Sequence, residues 1–239
     1  MRVNKYISEA GLCSRREADE WLLAGRVSIN GEVVGTGAKA LDGDEVRVDG
    51  EIVKARVLAA TPAAKKAVYI ALNKPVGITC TTDRSVAGNI VDFVDHPQRI
   101  FPIGRLDKDS EGLILLTSNG DIVNEILRAE NHHEKEYLVG VNKAVTDEFI
   151  AGMGKGVRIH GQMTQRCRVR RIAKFGFSIV LTQGLNRQIR LMAAAFGYRV
   201  TQLRRVRIDN VKLAHLKPGQ WRNLTDAELK GLLPGRTQW

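Results

Sequence analysis

Residues 104–113, GRLDKDSEGL, hold three acids in five positions, Asp107, Asp109 and Glu111, set between Arg105 and Lys108 and bracketed by glycines. The plain reading is a solvated turn. A metal site needs oxygen ligands converging from more than one segment, and no second acid cluster or ligand-spaced histidine pair accompanies this one. His132 and His133 are adjacent, so on a strand they point to opposite faces. A third reading makes one carboxylate a nucleophile or base, kept ionised by an arginine. Asp109 lies two positions from Asp107, on the same side of an extended loop, and is expected to be structural.

Working outward, the segment is followed by a short apolar run, GLILLT at 112–117, and preceded by another, VYIAL at 68–72. Both are bounded by breakers and read as buried strands. Asn119 is placed to cap a helix carrying Ile122, Val123 and Ile126. A strand is expected at 137–141, a helix opening at Thr146, strands at 166–171 and 177–181, a helix at 187–196 and a strand at 199–208. Thr225 and Glu228 form a capping-box pattern for a closing helix. The order suggests an α+β domain with a mixed, mainly antiparallel sheet.

The chain's charge is concentrated. Of 239 residues, 37 are Lys or Arg and 26 Asp or Glu, for a net charge of +11. Residues 149–208 contain no acid and 13 basic residues, so the rest of the chain is slightly acidic. A one-sign field suits a polyanionic partner, because each phosphate contact releases counterions; a solvated basic face is the alternative. With 44% apolar and 26% charged residues the chain reads as globular rather than disordered. No apolar run approaches the ~18 residues of a membrane span, and no membrane partner is expected. Three scattered cysteines suggest neither a disulfide framework nor a zinc knuckle. The opening MRVNKYISEAG lacks a signal-peptide core, so a cytoplasmic protein is expected.

The first fifty residues read as a separate small unit. Val3, Ile7 and Ala10 have helical spacing up to Gly11, Ser14 to Glu17 form a capping box, and Asn30-Gly31 sits in a hairpin pattern. Residues 51–66 lose periodicity and read as a linker. The expected division is 1–50, linker 51–66, and a larger unit at 67–239.

GRLDKDSEGL resembles the catalytic-aspartate motif of the pseudouridine synthases, in the RsuA/RluF branch. NKPVGITCTTD at 73–83 is similar to that family's first motif, EKEYLV at 134–139 to its tyrosine motif, and GLNRQIRLM at 184–192 to its arginine motif. Residues 2–50 resemble an S4 RNA-binding domain. Within the branch, ILRAENHHEKEYLV and GQWRNLTDAEL look most like members acting on large-subunit (23S) ribosomal RNA.

The resemblance implies a cofactor-free, metal-free isomerase that turns a uridine of ribosomal RNA into pseudouridine. Another ribosomal or transfer-RNA site, or a non-catalytic S4-type assembly factor, is the alternative. Asp107 is then the catalytic aspartate, Arg190 pairs with it, and Tyr137 stacks on the flipped base. Arg105 fills the gap left in the RNA stack. Lys74, Arg187 and Ile189 are expected at substrate, with Arg204 and Arg205 on an RNA-binding wall around the extruded uridine. In the S4-like unit, Arg2, Lys5, Arg15, Arg16 and Arg26 are the RNA-facing candidates. A monomer is expected, since RNA already supplies a large partner surface.

Overall fold

A computed structural model describes residues 1–53, 67–127 and 133–235. The chain divides into two compact units, Met1–Lys66 and Ala67–Trp239.

In the small unit, helices α1 (Val3–Glu9) and α2 (Arg15–Leu23) pack on a four-stranded sheet of β1 (Val27–Ile29), β2 (Glu32–Val33), β3 (Val46–Val48) and β4 (Glu51–Ile52), in the order β2-β1-β3-β4. The capping box forms at Ser14: its hydroxyl accepts from the Glu17 amide while Glu17 accepts from the Ser14 amide. Ile29 pairs with Glu32 across a two-residue turn in which Asn30 (φ 52°) and Gly31 (φ 88°) take the left-handed backbone that such hairpins require. Val3, Ile7, Ala18, Leu22, Val27 and Val46 form the core. Glu51 and Ile52, expected in the linker, instead pair as β4 with β3, and Val53 is buried. Alternation is hard to see in so short an edge strand. The rest of the expected linker, 54–66, lies outside the described residues, as does His132.

The large unit is built on a nine-stranded sheet. Its elements are β5 (Tyr69–Lys74), α3 (Ile90–Val94), β6 (Phe101–Ile103), β7 (Glu111–Thr117), α4 (Asp121–Leu127), β8 (Lys135–Val141), α5 (Asp147–Lys155), the hairpin β9 (Arg158–Ile159) and β10 (Gln162–Met163), β11 (Arg168–Ala173), β12 (Gly176–Leu181), α6 (Gln188–Ala195), β13 (Val200–Ile208), β14 (Val211–Lys212), β15 (Trp221–Asn223) and α7 (Asp226–Leu232). The strand order is β11-β12-β8-β13-β7-β5-β15, with β6 on β7 and β14 on β13. All pairings are antiparallel except β13 with β7, where Arg204 and Arg205 lie beside Glu111 and Gly112.

Strand alternation sorts the core. Ile70, Leu72, Ile114 and Leu116 face α3, while Tyr69, Ala71, Leu113 and Leu115 face α4 and α7. On the other half, Val139, Phe177 and Ile179 pack with Phe149 of α5 and Met192 of α6. Tyr137 touches this cluster and the α3 cluster alike, so both lie on one face of the sheet. At the junction, Gly112 (φ 107°) runs directly beneath Arg205: a Cβ there would lie 2.2 Å from the Arg205 carbonyl oxygen. The parallel joint, and with it the continuity of the sheet, depends on that glycine.

Candidate active site

The loop between β6 and β7, residues 104–110, hangs over the parallel joint on the α3/α6 face. It borders a cavity of about 1050 Å³ lined by Cys80, Asp107, Tyr137, Ile189, Leu203 and Arg205, among others. Arg105 and Arg187 also border it. Ser110, buried beneath the loop, has its amide bonded to the Asp107 carbonyl at 3.0 Å.

Two arginines hold the acids, but not as the motif implies. Arg187 Nη1 lies 3.6 Å from Asp107 Oδ2, and its Nη2 lies 3.3 Å from Asp109 Oδ2. Arg190, expected on Asp107, instead meets Asp109: its Nη2 is 3.2 Å from Oδ2, and it donates to the Asp109 carbonyl and to Ser110 Oγ, both at 3.1 Å. The reason is local backbone. Arg187 is the N-cap of α6, in the left-handed region at φ 48°, rather than its first helical residue. That turn brings Arg187 forward over the carboxylates, while Arg190, one turn into the helix, reaches the loop's base. Asp109 does have the structural part expected of it, joined to both arginines. Arg190→Ala removes three contacts to the loop and is expected to cost about 2 kcal/mol of stability and to lower turnover; urea melts and single-turnover assays read the two effects.

Tyr137 and Arg205 form the floor. They are paired across β8 and β13, with the guanidinium carbon 5.9 Å from the phenol ring centre. Arg205 is buried: Nε donates to the Leu113 carbonyl at 2.6 Å, Nη1 lies 3.5 Å from the Tyr137 hydroxyl, and Nη2 has no partner among the described residues. It was expected on an RNA-binding wall around the extruded uridine; strand pairing buries it in the cavity floor.

Lys74 also departs from expectation. It is completely buried and donates to the carbonyls of Pro75 and Ile78, at 2.9 Å each. It ties down the Lys-Pro turn and has no route to RNA. Burial pulls its pKa below the usual lysine value, while Cys80, Asp107, Asp109 and Glu111 pull it back up. The Cys80 thiol is pushed up by burial, against the bond it receives from the Leu106 amide.

Arg204 pairs with Leu138, one residue from Tyr137, and so points to the opposite face of the sheet from the cavity. The expected ring of cations around a single pocket is therefore two groups on two faces. Arg105 and Arg187 are exposed at the cavity and Ile189 is buried in its wall. In the small unit, Arg2, Arg15 and Arg16 are exposed and Lys5 is half-buried. Arg26 is exposed but committed, its Nε donating to Asp49 at 2.8 Å and its guanidinium 5.0 Å from the Trp21 ring centre.

Two contributors were not singled out in the sequence. Lys135 lines the cavity, and its pKa is lowered by burial and by Arg205, with Asp209 opposing; its position two residues before Tyr137 was the available signal. His160, in the β9–β10 turn, meets the Asn186 carbonyl at 3.1 Å, next to Arg187; nothing in the sequence pattern points to it. Among the described residues, no three His, Cys, Asp or Glu side chains are grouped to hold a metal ion. No described helix is long and apolar enough to cross a membrane.

The chain belongs to the RNA pseudouridylate synthase family, whose model matches residues 68–195, and an S4 domain model matches residues 1–46. It is 58% identical over 228 residues to the dual-specificity RNA pseudouridine synthase RluF of Salmonella typhi, covering 95% of this chain and 77% of that one. It is 32% identical over 240 residues to the ribosomal large subunit pseudouridine synthase B of Bacillus subtilis (strain 168), covering 97% and 95%. A crystal structure of a pseudouridylate synthase superposes with a TM-score of 0.71 at 30% identity, covering 98% of this chain and 100% of that chain. The protein is an RNA pseudouridine synthase carrying an S4 RNA-binding domain.

Proposed function

We propose that the enzyme isomerises a specific uridine of large-subunit (23S) ribosomal RNA, with Asp107 initiating cleavage of the glycosidic bond. One observation carries the reading: Asp107 borders a cavity that Tyr137 also lines, with an arginine against its carboxylate. The reaction breaks the bond from C1′ to N1, turns the base and joins C1′ to C5. The C5 proton leaves and N1 gains one, so nothing is hydrolysed. The carboxylate acts by attack on the ring or on the sugar, or by stabilising a glycal-like intermediate. Arg187 lies 3.6 Å from the carboxylate and orients it, and Arg190 holds the loop that carries it. Tyr137 stacks on the flipped uracil, and the apolar wall with Ile189 keeps the detached base from water. Arg105, exposed at the rim, fills the gap in the RNA stack. No cofactor or metal ion takes part in this scheme.

The small unit, residues 1–50 with β4 added, grips RNA through Arg2, Lys5, Arg15 and Arg16, and residues 67–239 carry the chemistry. The protein works as a cytoplasmic monomer. The large-subunit assignment is supported by the name of the Bacillus subtilis relative, and the dual specificity of the Salmonella typhi relative favours a second RNA, ribosomal or transfer, as an additional substrate. The test is a nucleotide-resolution pseudouridine map of ribosomal and transfer RNA from cells with and without the gene. Loss of one large-subunit pseudouridine is expected. An unchanged map would leave only a non-catalytic, S4-type assembly factor.

A further inference from the structure

The acid-free tract at 149–208 places cations on the sheet face that the catalytic loop does not use. In β8, Tyr137 points to the active-site cavity and Glu136 to the other side. Register carries that other side across three strands: Glu136 lies beside Val180 of β12, Val180 beside Arg168 of β11, and Glu136 beside Arg207 of β13. Two residues along β11, Arg170 lies beside Ser178. Among the described residues, α4 and α7 cover this face over β5, β7 and the β13–β14 end.

At the β11 edge of the sheet, where these strands meet α5, is a second cavity of about 680 Å³, bordered by Lys155, Arg168, Arg170, Ser178, Val180 and Arg207. Two carboxylates are present and both are taken. Glu134 Oε2 meets Arg207 at 3.0 Å and its Oε1 meets Arg168, and Glu136 meets Arg207 at 2.9 Å. Arg170 and Lys155 are exposed, and neither has an ion-pair partner among the described residues. The charges around the groove are four basic and two acidic, so it carries a net +2.

We propose that this groove binds the sugar-phosphate backbone of a second RNA segment, distant from the modified uridine. The inference rests on the reading of the enzyme as an RNA isomerase, which supplies a polyanion of sufficient length. Arg170 and Lys155 bind phosphate directly. The Arg168–Glu134–Arg207–Glu136 chain holds the groove's shape and keeps the two acids from the incoming phosphates. The groove shares no lining residue with the active-site cavity, so RNA seated here is held away from the extruded base. The face therefore adds affinity for a large folded RNA without adding to catalysis, as a second linked contact does.

The test is the double substitution Arg170→Gln with Lys155→Gln. Both side chains are exposed, so the melting temperature should stay near that of the wild type. Two protein-free RNAs are used: full-length large-subunit ribosomal RNA and a short stem-loop around the modified uridine. The variant's Kd for the long RNA is expected to rise about tenfold, and the slope of log Kd against log salt to fall by about 1.8, at ~0.9 for each phosphate contact. Its Kd for the stem-loop and its kcat on saturating long RNA should not change. Unchanged Kd for both RNAs overturns the proposal, and so does an equal loss on both, which would put the groove at the substrate hairpin. A defect seen only with protein-bearing ribosomal particles overturns it in favour of a protein partner. Because the affinities are measured without turnover, a failure of the isomerase reading would show separately, as absence of pseudouridine in the wild-type reaction.

Discussion

Asp107→Asn should lower turnover by at least about 10⁴-fold, the scale seen when a group that acts on the reacting bond is removed, while the RNA Kd stays within about threefold. The asymmetry comes from the surroundings of the side chain. Asp107 makes one long ion pair, to an arginine that also holds Asp109. The loop itself is fastened by Arg190 through Asp109 and Ser110. An amide at 107 is nearly isosteric with the carboxylate, so the loop, the cavity and the RNA-facing cations should remain in place. What disappears is the negative charge to which the proposed reaction assigns the first step. Single-turnover conversion of a uridine substrate measures the first quantity and filter binding the second. Retained turnover in this variant would remove Asp107 from the reaction. Asp109→Asn supplies the contrast: it weakens the loop's anchoring and so should affect stability as well as rate.

Gly112→Ala should be the most damaging single-methyl change in the enzyme, destabilising it by about 3–5 kcal/mol, in the exceptional range for point substitutions. Two costs combine. The backbone there has φ 107°, which side-chain-bearing residues avoid. The added Cβ would also sit 2.2 Å from the Arg205 carbonyl oxygen and 2.7 Å from its nitrogen, both main-chain atoms that cannot swing aside. Relief requires β7 and β13 to separate, which would move Arg205 away from Tyr137. Urea denaturation monitored by circular dichroism should show the loss, and activity should fall with it. A variant of wild-type stability would mean the strands can spread without penalty.

Much of this architecture is legible in the sequence. The apolar runs at 68–72 and 112–117 are buried central strands, and runs with every position apolar leave few other homes. The capping boxes at Ser14 and Thr225 formed because their hydroxyl and carboxylate partners lie within one helical turn. The short elements were not foreseen: α3, β6, the β9–β10 hairpin, β14 and β15 are two to five residues long, too short for a period to show. In the site, the residues were legible and the partnerships were not. Arg187 and Arg190 looked like neighbours on one helix face and both meet Asp109, yet with a left-handed N-cap at Arg187 it is Arg187, not Arg190, that reaches Asp107. Lys74 reads as an RNA-binding cation in sequence, and only packing reveals that its ammonium is enclosed by carbonyls. Arg204 and Arg205 are identical in composition and adjacent, and strand alternation sends them to opposite faces.

The single parallel joint in the sheet also governs the order in which the enzyme can be assembled. Strand β7 is complete by Thr117, but its neighbour β13 begins only at Val200. Joining them closes a loop of more than eighty residues, whose entropy must be met before the contact returns anything. The β5–β7 pairing, the β11–β12 hairpin and its pairing to β8 each close shorter loops and can form first. Asp107 lies on one side of the late joint, and Tyr137 and Arg205 on the other. A chain in which β7 and β13 have not yet met therefore keeps Asp107 apart from Tyr137 and Arg205, whatever else of the sheet has formed. Competence waits on that one long-range contact.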